Sequence, residues 1–287
     1  MNEEPRQPLP VSATSVQTLR HCIGADPRHY QIATLAALLT YGLVVLGFEQ
    51  RLSHVIAIVV MAIGTEAALA RFVCRRKFDV LSPLITALSL SILLRTSGIT
   101  ACTIAAAIAI GSKYYMRVGG KHVFNPANFA ISLLILTTDS AWISPGQWGR
   151  DAVIVFGMAA LATLVLSCAK RLDMAFAFLG AYAILLFARA AHLGDPMAIP
   201  LQQMQSGALL MFAFFMITDP KTTPDRRSTR IVYACAVASL AMLLQYVAHW
   251  PEGLMLALFF ASPLVPLLDR FAPALRAERF QWRRPTL

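Results

Sequence analysis

The sequence predicts an all-α polytopic membrane protein with about ten transmembrane helices. Charged residues make up only 14% of its 287 residues, and hydrophobic residues make up 57%. In a typical soluble domain, about a quarter of the residues are charged. The mean hydropathy of this chain is +0.61. Water cannot solvate so much apolar surface on a chain of this size, so lipid is the expected solvent. We expect one transmembrane domain at 30–270, a cytoplasmic N-terminal tail at 1–29 and a basic cytoplasmic C-terminal tail at 271–287.

Ten apolar runs account for the predicted helices. They lie at 30–48, 53–71, 79–95, 97–112, 125–138, 151–169, 173–191, 203–218, 229–248 and 253–269. Several are shorter than the ~20 residues that a perpendicular span needs, so we expect tilted, broken or re-entrant segments. Residues 1–29 contain no early apolar segment, and no signal peptide is predicted.

The distribution of Lys and Arg supports this count and predicts the orientation. With the N-terminus inside, 21 of the 25 basic residues fall in cytoplasmic loops and tails. The four outer ones are Arg51, Arg95, Arg150 and Arg189. This asymmetry follows the positive-inside rule, and the outer position of Trp142, Trp148 and Trp250 is typical of an aromatic belt. The net charge of +10 therefore predicts contact with anionic lipid and no binding of nucleic acid.

Polar residues at membrane depth are the candidate functional positions. Glu66 lies in the second run, where it indicates either an ion path or a carboxylate at a helix end near Arg71 and Arg75. The segment 82–91 brings a proline and several hydroxyls, among them Ser82 and Thr86, into the third run.

An Asn-Pro pair opens the fifth run. Pro126 suits the first turn of a helix and disfavours helical geometry at Asn125. Asn125 and Asn128 then offer amide groups beside free N–H groups at a positive helix end, which suits an anionic or carbonyl-bearing ligand. An ordinary N-cap explains the same residues.

The segment 205–224 is the fourth place where polar or helix-breaking residues interrupt an apolar run. Ser206 and Gly207 allow close approach of another backbone. The run ends at Thr218 and Asp219, before Pro220, which places Asp219 at the inner membrane boundary. A helix stop followed by a turn explains this ending equally well.

The order of these interruptions predicts two inverted halves of five helices each. Polar-interrupted runs occur third and eighth, and proline-broken runs occur fifth and tenth. Inverted halves around a central site are common in transporters. The five cysteines form no CxxC pair and the six histidines are isolated, so no metal centre or hydrolase site is predicted. The residues alone leave transporter, channel and redox subunit open.

Five segments resemble the D subunit of Rnf electron-transport complexes and the related B subunit of the sodium-pumping NADH–quinone reductase. They are TEAALARF from Thr65, SPLITALSLS from Ser82, GGKHVFNPANF from Gly119, SGALLMFAFFMITDPKTTP from Ser206 and WPEGLMLALFFASPLVPLLDRF from Trp250. The resemblance covers about 66–270 in matching order. It implies a flavin-carrying subunit in the bacterial inner (plasma) membrane, where electron flow is coupled to sodium or proton movement. Its implied partners are other membrane subunits and an extracytoplasmic flavoprotein.

One departure concerns the flavin anchor. In the family, a long outer loop after the fifth helix carries a Thr-Gly-Ala-Thr-Pro-like motif, whose threonine holds FMN through a phosphoester. Here only 137–151 connects these runs, and the chain contains no Gly-Ala-Thr. The chain therefore resembles a shortened member that either binds FMN or riboflavin non-covalently or has lost a redox role.

The predicted flavin-binding residues are Ser82, Thr86, Asn125, Pro126, Asn128, Ser206, Gly207, Thr218 and Asp219. Glu66 and Asp219 are the predicted residues of the cation or proton path, because buried carboxylates are costly unless they are used. One alternative is a transporter or channel for a small solute or flavin precursor with the same fold. A structural assembly subunit is a third hypothesis.

Overall fold

A computed structural model describes residues 27–73, 77–143 and 171–274 of the chain. The α-helices, numbered along the chain, are α1 (Pro27–Val44), α2 (Leu52–Ala68), α3 (Leu81–Leu93), α4 (Ile99–Tyr115), α5 (Pro126–Thr137), α6 (Leu172–Leu193), α7 (Ala198–Met204), α8 (Gly207–Met211), α9 (Arg227–Tyr246), α10 (Gly253–Ala261) and α11 (Leu264–Phe271). π-helical turns extend α2 and α8 at Leu69–Val73 and Phe212–Met216. The strands are β1 (Leu94–Thr96), β2 (Arg117–Val118), β3 (Lys121–His122) and β4 (Ala141–Ile143).

The helices confirm the predicted all-α membrane class. Each predicted run in the described ranges contains a helix, whereas the run at 151–169 and most of both tails lie outside the described residues. Three described helices are long and apolar enough to cross a membrane: Leu52–Val73, Leu172–Leu193 and Arg227–Tyr246. The pair α10–α11, bent by 44°, passes the same test as one broken span. The count of ten spans remains a prediction, because the other described helices do not meet these criteria of length and hydropathy.

The same pairs of helices pack together in the two predicted halves. In the first half α2 packs extensively on α4, and α4 packs on α5. At the equivalent places in the second half, α6 packs on α9, and α9 packs on α10. This repetition agrees with two related halves, while their inverted relationship remains a prediction.

Buried alanines allow α4 and α9, the fourth helix of each predicted half, to approach their neighbours closely. Ala105 and Ala109 of α4 and Ala234 and Ala238 of α9 are fully buried, and each pair is spaced i, i+4 on one helix face. Small residues at such a seam let helix backbones approach and gain van der Waals contact, which drives helix association in lipid.

Within each half, the segment that follows the third helix contacts the segment that follows the fifth helix. In the first half β1, which follows α3, pairs antiparallel with β4, which follows α5. In the second half the loop after the Phe212–Met216 turn meets α11, where the backbone N–H of Asp225 donates to Asp269 Oδ1 at 2.8 Å. In each half, contacts between these following segments therefore connect the third helix (α3 or α8) to the fifth (α5 or α10).

Candidate functional site

A buried polar cluster lies where α2, α3 and α4 meet. The Glu66 side chain of α2 is 1% exposed, and its Oε1 accepts a 2.7 Å hydrogen bond from the Tyr114 hydroxyl. The neighbouring Lys113 Nζ donates to both the carbonyl oxygen and Oγ of Ser82, each at 3.1 Å. The structure therefore places Glu66 in the interior, bonded to α4, while Arg71 is exposed.

Asp219 adds a second acidic group to this end of the molecule. The backbone N–H of Lys221 donates to Asp219 Oδ1 at 3.0 Å, and the Lys113 and Lys221 ammonium groups lie within electrostatic range. Burial raises the pKa of Asp219, and these nearby donors and cations oppose that rise. Both predicted path residues, Glu66 and Asp219, therefore interact electrostatically with the Lys113 ammonium.

Asn125 caps α5, as the simpler interpretation predicts. Its side-chain oxygen accepts from the Asn128 backbone N–H at 3.2 Å, and Pro126 occupies the first turn. Its Nδ2 donates to the Met216 carbonyl oxygen at 3.5 Å, which joins α5 to the second half. Asn128 Oδ1 in turn accepts from Ser132 Oγ at 3.0 Å. Both amide groups therefore have protein partners.

The two predicted threonines bond within their own helical segments. Thr86 Oγ1 donates to the Ser82 carbonyl at 3.2 Å, and Thr218 Oγ1 donates to the Phe214 carbonyl at 2.6 Å. These contacts satisfy the hydroxyl protons in the apolar interior.

A cavity of about 190 Å³ opens near the other end of α8. Ser206 lines it, together with two hydrogen-bonded pairs of side chains. Tyr182 donates to Gln245 Oε1 at 2.7 Å, and Tyr246 donates to Gln203 Oε1 at 3.0 Å. The remaining walls come from Leu93, Ile143, Ala208, Leu209, Pro251, Glu252, Leu254 and Met255. We call this space the outer cavity, because the predicted topology places it near the outer surface.

The structure thus divides the predicted residues between two places. Glu66, Ser82, Thr86, Asn125, Asn128, Thr218 and Asp219 lie toward the end that the charge distribution assigns to the cytoplasm. Ser206 and Gly207 lie about 15 Å away along the helix axis of α8 and its π-helical turn. Tyr114 and the two Tyr–Gln pairs were not predicted from the sequence. Gln245 was detectable, since it is an amide inside the apolar run 229–248.

Ion pairs join the loops at the predicted cytoplasmic end. Lys121 Nζ lies 2.9 Å from Asp225 Oδ1 and 2.8 Å from Asp269 Oδ2. Arg171 NH2 lies 3.5 Å from the same Asp225 oxygen, and Arg230 NH2 lies 2.7 Å from Asp173 Oδ2.

Arg171 is fully buried within this network. Burial lowers the pKa of Arg171, and the neighbouring Arg230 lowers it further, while Asp225 and Asp173 act in the opposite direction. Its NH1 donates to the Pro224 carbonyl at 3.1 Å. The basic loops that the positive-inside rule assigns to one side therefore gather at one end of the molecule, though which end is cytoplasmic remains a prediction.

Exposed tryptophans lie in loops assigned to the opposite side. Trp142, in β4, pairs in register with Arg95 of β1, and both Trp142 and Trp250 are exposed. This agrees with interfacial anchoring. Trp148 lies outside the described residues. Together, the apolar helices, the charged end and the exposed aromatic residues define an integral membrane protein with all-helical spans.

Comparison with known proteins confirms the resemblance that the motifs indicated. Residues 140–276 match the model of the NQR2, RnfD, RnfE family. Relatives named as the D subunit of an ion-translocating oxidoreductase complex are 28% identical over 235 residues in Stutzerimonas stutzeri and 29% identical over 125 residues in Citrobacter koseri. A third, from Tolumonas auensis, is 32% identical over 75 residues.

These matches cover only parts of the proteins. They span 57%, 44% and 26% of this chain and 65%, 35% and 22% of the Stutzerimonas, Citrobacter and Tolumonas relatives, respectively. Because 57% of this chain is about 164 residues, the 235-residue match includes segments of the relative that have no counterpart here. This agrees with the prediction of a shortened relative.

Proposed function

We propose that the chain is a membrane subunit of an ion-translocating oxidoreductase complex and that it binds FMN or riboflavin non-covalently in the outer cavity. The proposal rests on the part of the chain from which the residues lining the cavity come. Every lining residue except Leu93 lies within 140–276, the segment that matches the family model. The part of the chain most similar to the oxidoreductase subunits therefore builds the outer cavity.

The chemistry of the outer cavity suits the polar edge of a flavin. Gln203 and Gln245 use their amide oxygens to accept from tyrosines, which leaves the amide nitrogens as donors for ring carbonyls. Leu209 and Met255 offer apolar walls for the hydrocarbon edge of the ring. A bound flavin would supply electron transfer, while these side chains would orient it and exclude water.

The residues at the inner end form the alternative flavin site. Asn125, Asn128 and Thr218 have protein partners there, as described above, and they would have to exchange those partners to bind a ring. The outer cavity needs no such exchange, so we favour it.

The cluster around Glu66 and Asp219 is the proposed ion path. Glu66 is buried, and burial raises the pKa of Asp219 above its usual value, which favours the protonated carboxyl. An ionisable side chain inside a membrane domain is expensive to keep and commonly marks a cation or proton pathway.

The proposed partners follow from the relatives. Their names describe subunits of a complex, so we propose other membrane subunits and an extracytoplasmic flavoprotein as partners. The exposed basic residue Arg227 and the exposed Ile231, one turn further along the same helix face, fit contact with anionic headgroups and acyl chains. The proposed location is the bacterial inner membrane, with both termini in the cytoplasm.

The test is an absorption spectrum of the detergent-purified protein supplied with flavin, before and after acid precipitation. Flavin bands that move to the supernatant support non-covalent binding. Gln245→Ala should reduce the bound flavin at least tenfold, whereas Gln205→Ala, an exposed amide outside the cavity, should leave it unchanged. Loss of flavin in Asn125→Ala alone would move the site to the inner end, and flavin retained in the pellet would contradict non-covalent binding.

A solute transporter or channel is the second candidate, favoured by the repeated packing of α2 on α4 and of α6 on α9. Repeated halves around a central site are the architecture of many transporters. Protein that stays colourless when co-expressed with its neighbouring subunits, together with riboflavin uptake into proteoliposomes, would favour this candidate over the redox subunit.

A further inference from the structure

We propose that the Lys113 ammonium fills a monovalent-cation site built on Ser82, and that truncating Lys113 opens this site to Na⁺ or K⁺. Lys113 Nζ is 3.1 Å from the Ser82 carbonyl oxygen and 3.1 Å from Ser82 Oγ. The lysine is only 7% exposed. A buried positive charge is thus held by two oxygens of a single residue.

Those oxygens are of the kind that bind small cations in membrane proteins. Backbone carbonyl and hydroxyl oxygens at breaks in transmembrane helices bind alkali-metal ions. Ser82 is the second residue of α3, so the positive end of the helix dipole lies next to the ammonium and repels it. The two hydrogen bonds to Ser82 must therefore be supplemented by attraction from other groups.

Nearby carboxylates supply that attraction. Glu66, Asp219 and Asp79 attract the Lys113 charge, while the neighbouring Lys221 repels it. Glu66 is buried and is held in place by Tyr114. Removing the lysine charge would take positive charge away from the buried Glu66, which is unfavourable inside a protein, whereas Asp79 keeps its ion pair with Arg28 and Asp219 keeps Lys221 nearby. A small cation in the vacated space would restore the balance.

The site has a consequence for ion selectivity, which rests on the ion path proposed above. While Lys113 occupies the cation position, Na⁺ and K⁺ cannot bind beside the two Ser82 oxygens. The cation site itself needs no flavin and no electron transfer, so its test is independent of the proposed function.

The experiment measures thermal unfolding midpoints of the purified full-length chain in NaCl, KCl and choline chloride at equal ionic strength. Lys113→Ala should gain roughly 2–4 °C in NaCl or KCl over choline chloride, the shift expected for weak ligand stabilisation in a chain of this size. The wild type and Lys113→Met, whose side chain still fills the space, should have the same midpoint in all three salts.

Two results would overturn the proposal: a midpoint of Lys113→Ala that is equal in the three salts, or a wild type that gains as much from Na⁺ as the variant. If Lys113→Ala gives no folded protein in choline chloride, it is purified in NaCl and in methylammonium chloride, whose cation mimics the missing end of the side chain. Recovery in NaCl supports the site. Recovery in methylammonium chloride alone, or failure in every salt with Lys113→Met folded, contradicts it.

Discussion

The Lys121 ammonium, in the hairpin between α4 and α5, lies 2.8 Å from the Asp269 carboxylate in α11. Both side chains are mostly buried, and Lys121 also donates to the Thr223 carbonyl at 2.8 Å. Because Asp269 also accepts from the Asp225 backbone, one carboxylate connects a loop of the first half to two segments of the second.

Asp269→Asn should therefore lower the free energy of unfolding by about 1–2 kcal/mol, because it weakens a partly buried charge pair while Lys121 keeps Asp225 as a partner. The measurement is the thermal unfolding midpoint in detergent. Asp195→Asn is the matched control: its pair with Arg189, at 3.6 Å, is exposed and should contribute at most about 0.5 kcal/mol. Equal midpoint shifts for the two variants would contradict a connecting role for Asp269.

Asn125→Ala should destabilise the protein by about 1 kcal/mol through loss of the α5 cap, with a further loss from the bond to Met216. Asn125→Ser keeps a side-chain acceptor for the Asn128 N–H and should recover the capping part only. Unfolding midpoints of the two variants, compared with wild type, check this. An unchanged midpoint in Asn125→Ala would show that the cap is dispensable.

Gly253→Ala should disturb the contact between α9 and α10. A Cβ at this position would lie 2.5 Å from Gln245 Cγ and 3.0 Å from the Gln245 backbone nitrogen. Overpacking of this kind costs about 1–3 kcal/mol, and here it would also displace a wall of the outer cavity. Gly180→Ala is the control, since a Cβ there meets no neighbour within 4 Å and favours the helix. An unfolding midpoint of Gly253→Ala at or above that of the wild type would show that α9 and α10 accommodate the added methyl group without loss of stability.

Tyr182→Phe should lower the free energy of unfolding by about 1 kcal/mol, because it deletes the hydrogen bond to Gln245 in a buried setting. The exposed Tyr115 provides the control: Tyr115→Phe should have no measurable effect. Thermal unfolding in the absence of added flavin measures this structural contribution. If the two variants have equal midpoints, the Tyr182–Gln245 bond does not stabilise the fold.

Prediction from sequence succeeded best for features repeated along the chain. The described helices α2, α4, α6 and α9 lie where apolar runs were expected, because lipid requires every spanning segment to satisfy its backbone within a helix. The Asn125 cap was also foreseen, since Asn followed by Pro encodes a helix start within a few residues.

The sequence by itself thus determined the membrane class, the helix positions and the cap of α5, because periodicity, hydropathy and capping act over short stretches of chain. Only the tertiary structure decided which polar groups meet. Tyr114 reaches Glu66 across 48 residues, and Tyr182 reaches Gln245 across 63. Such partners depend on how helices pack and rotate against one another, and that geometry is set by contacts between distant segments, which no local pattern records.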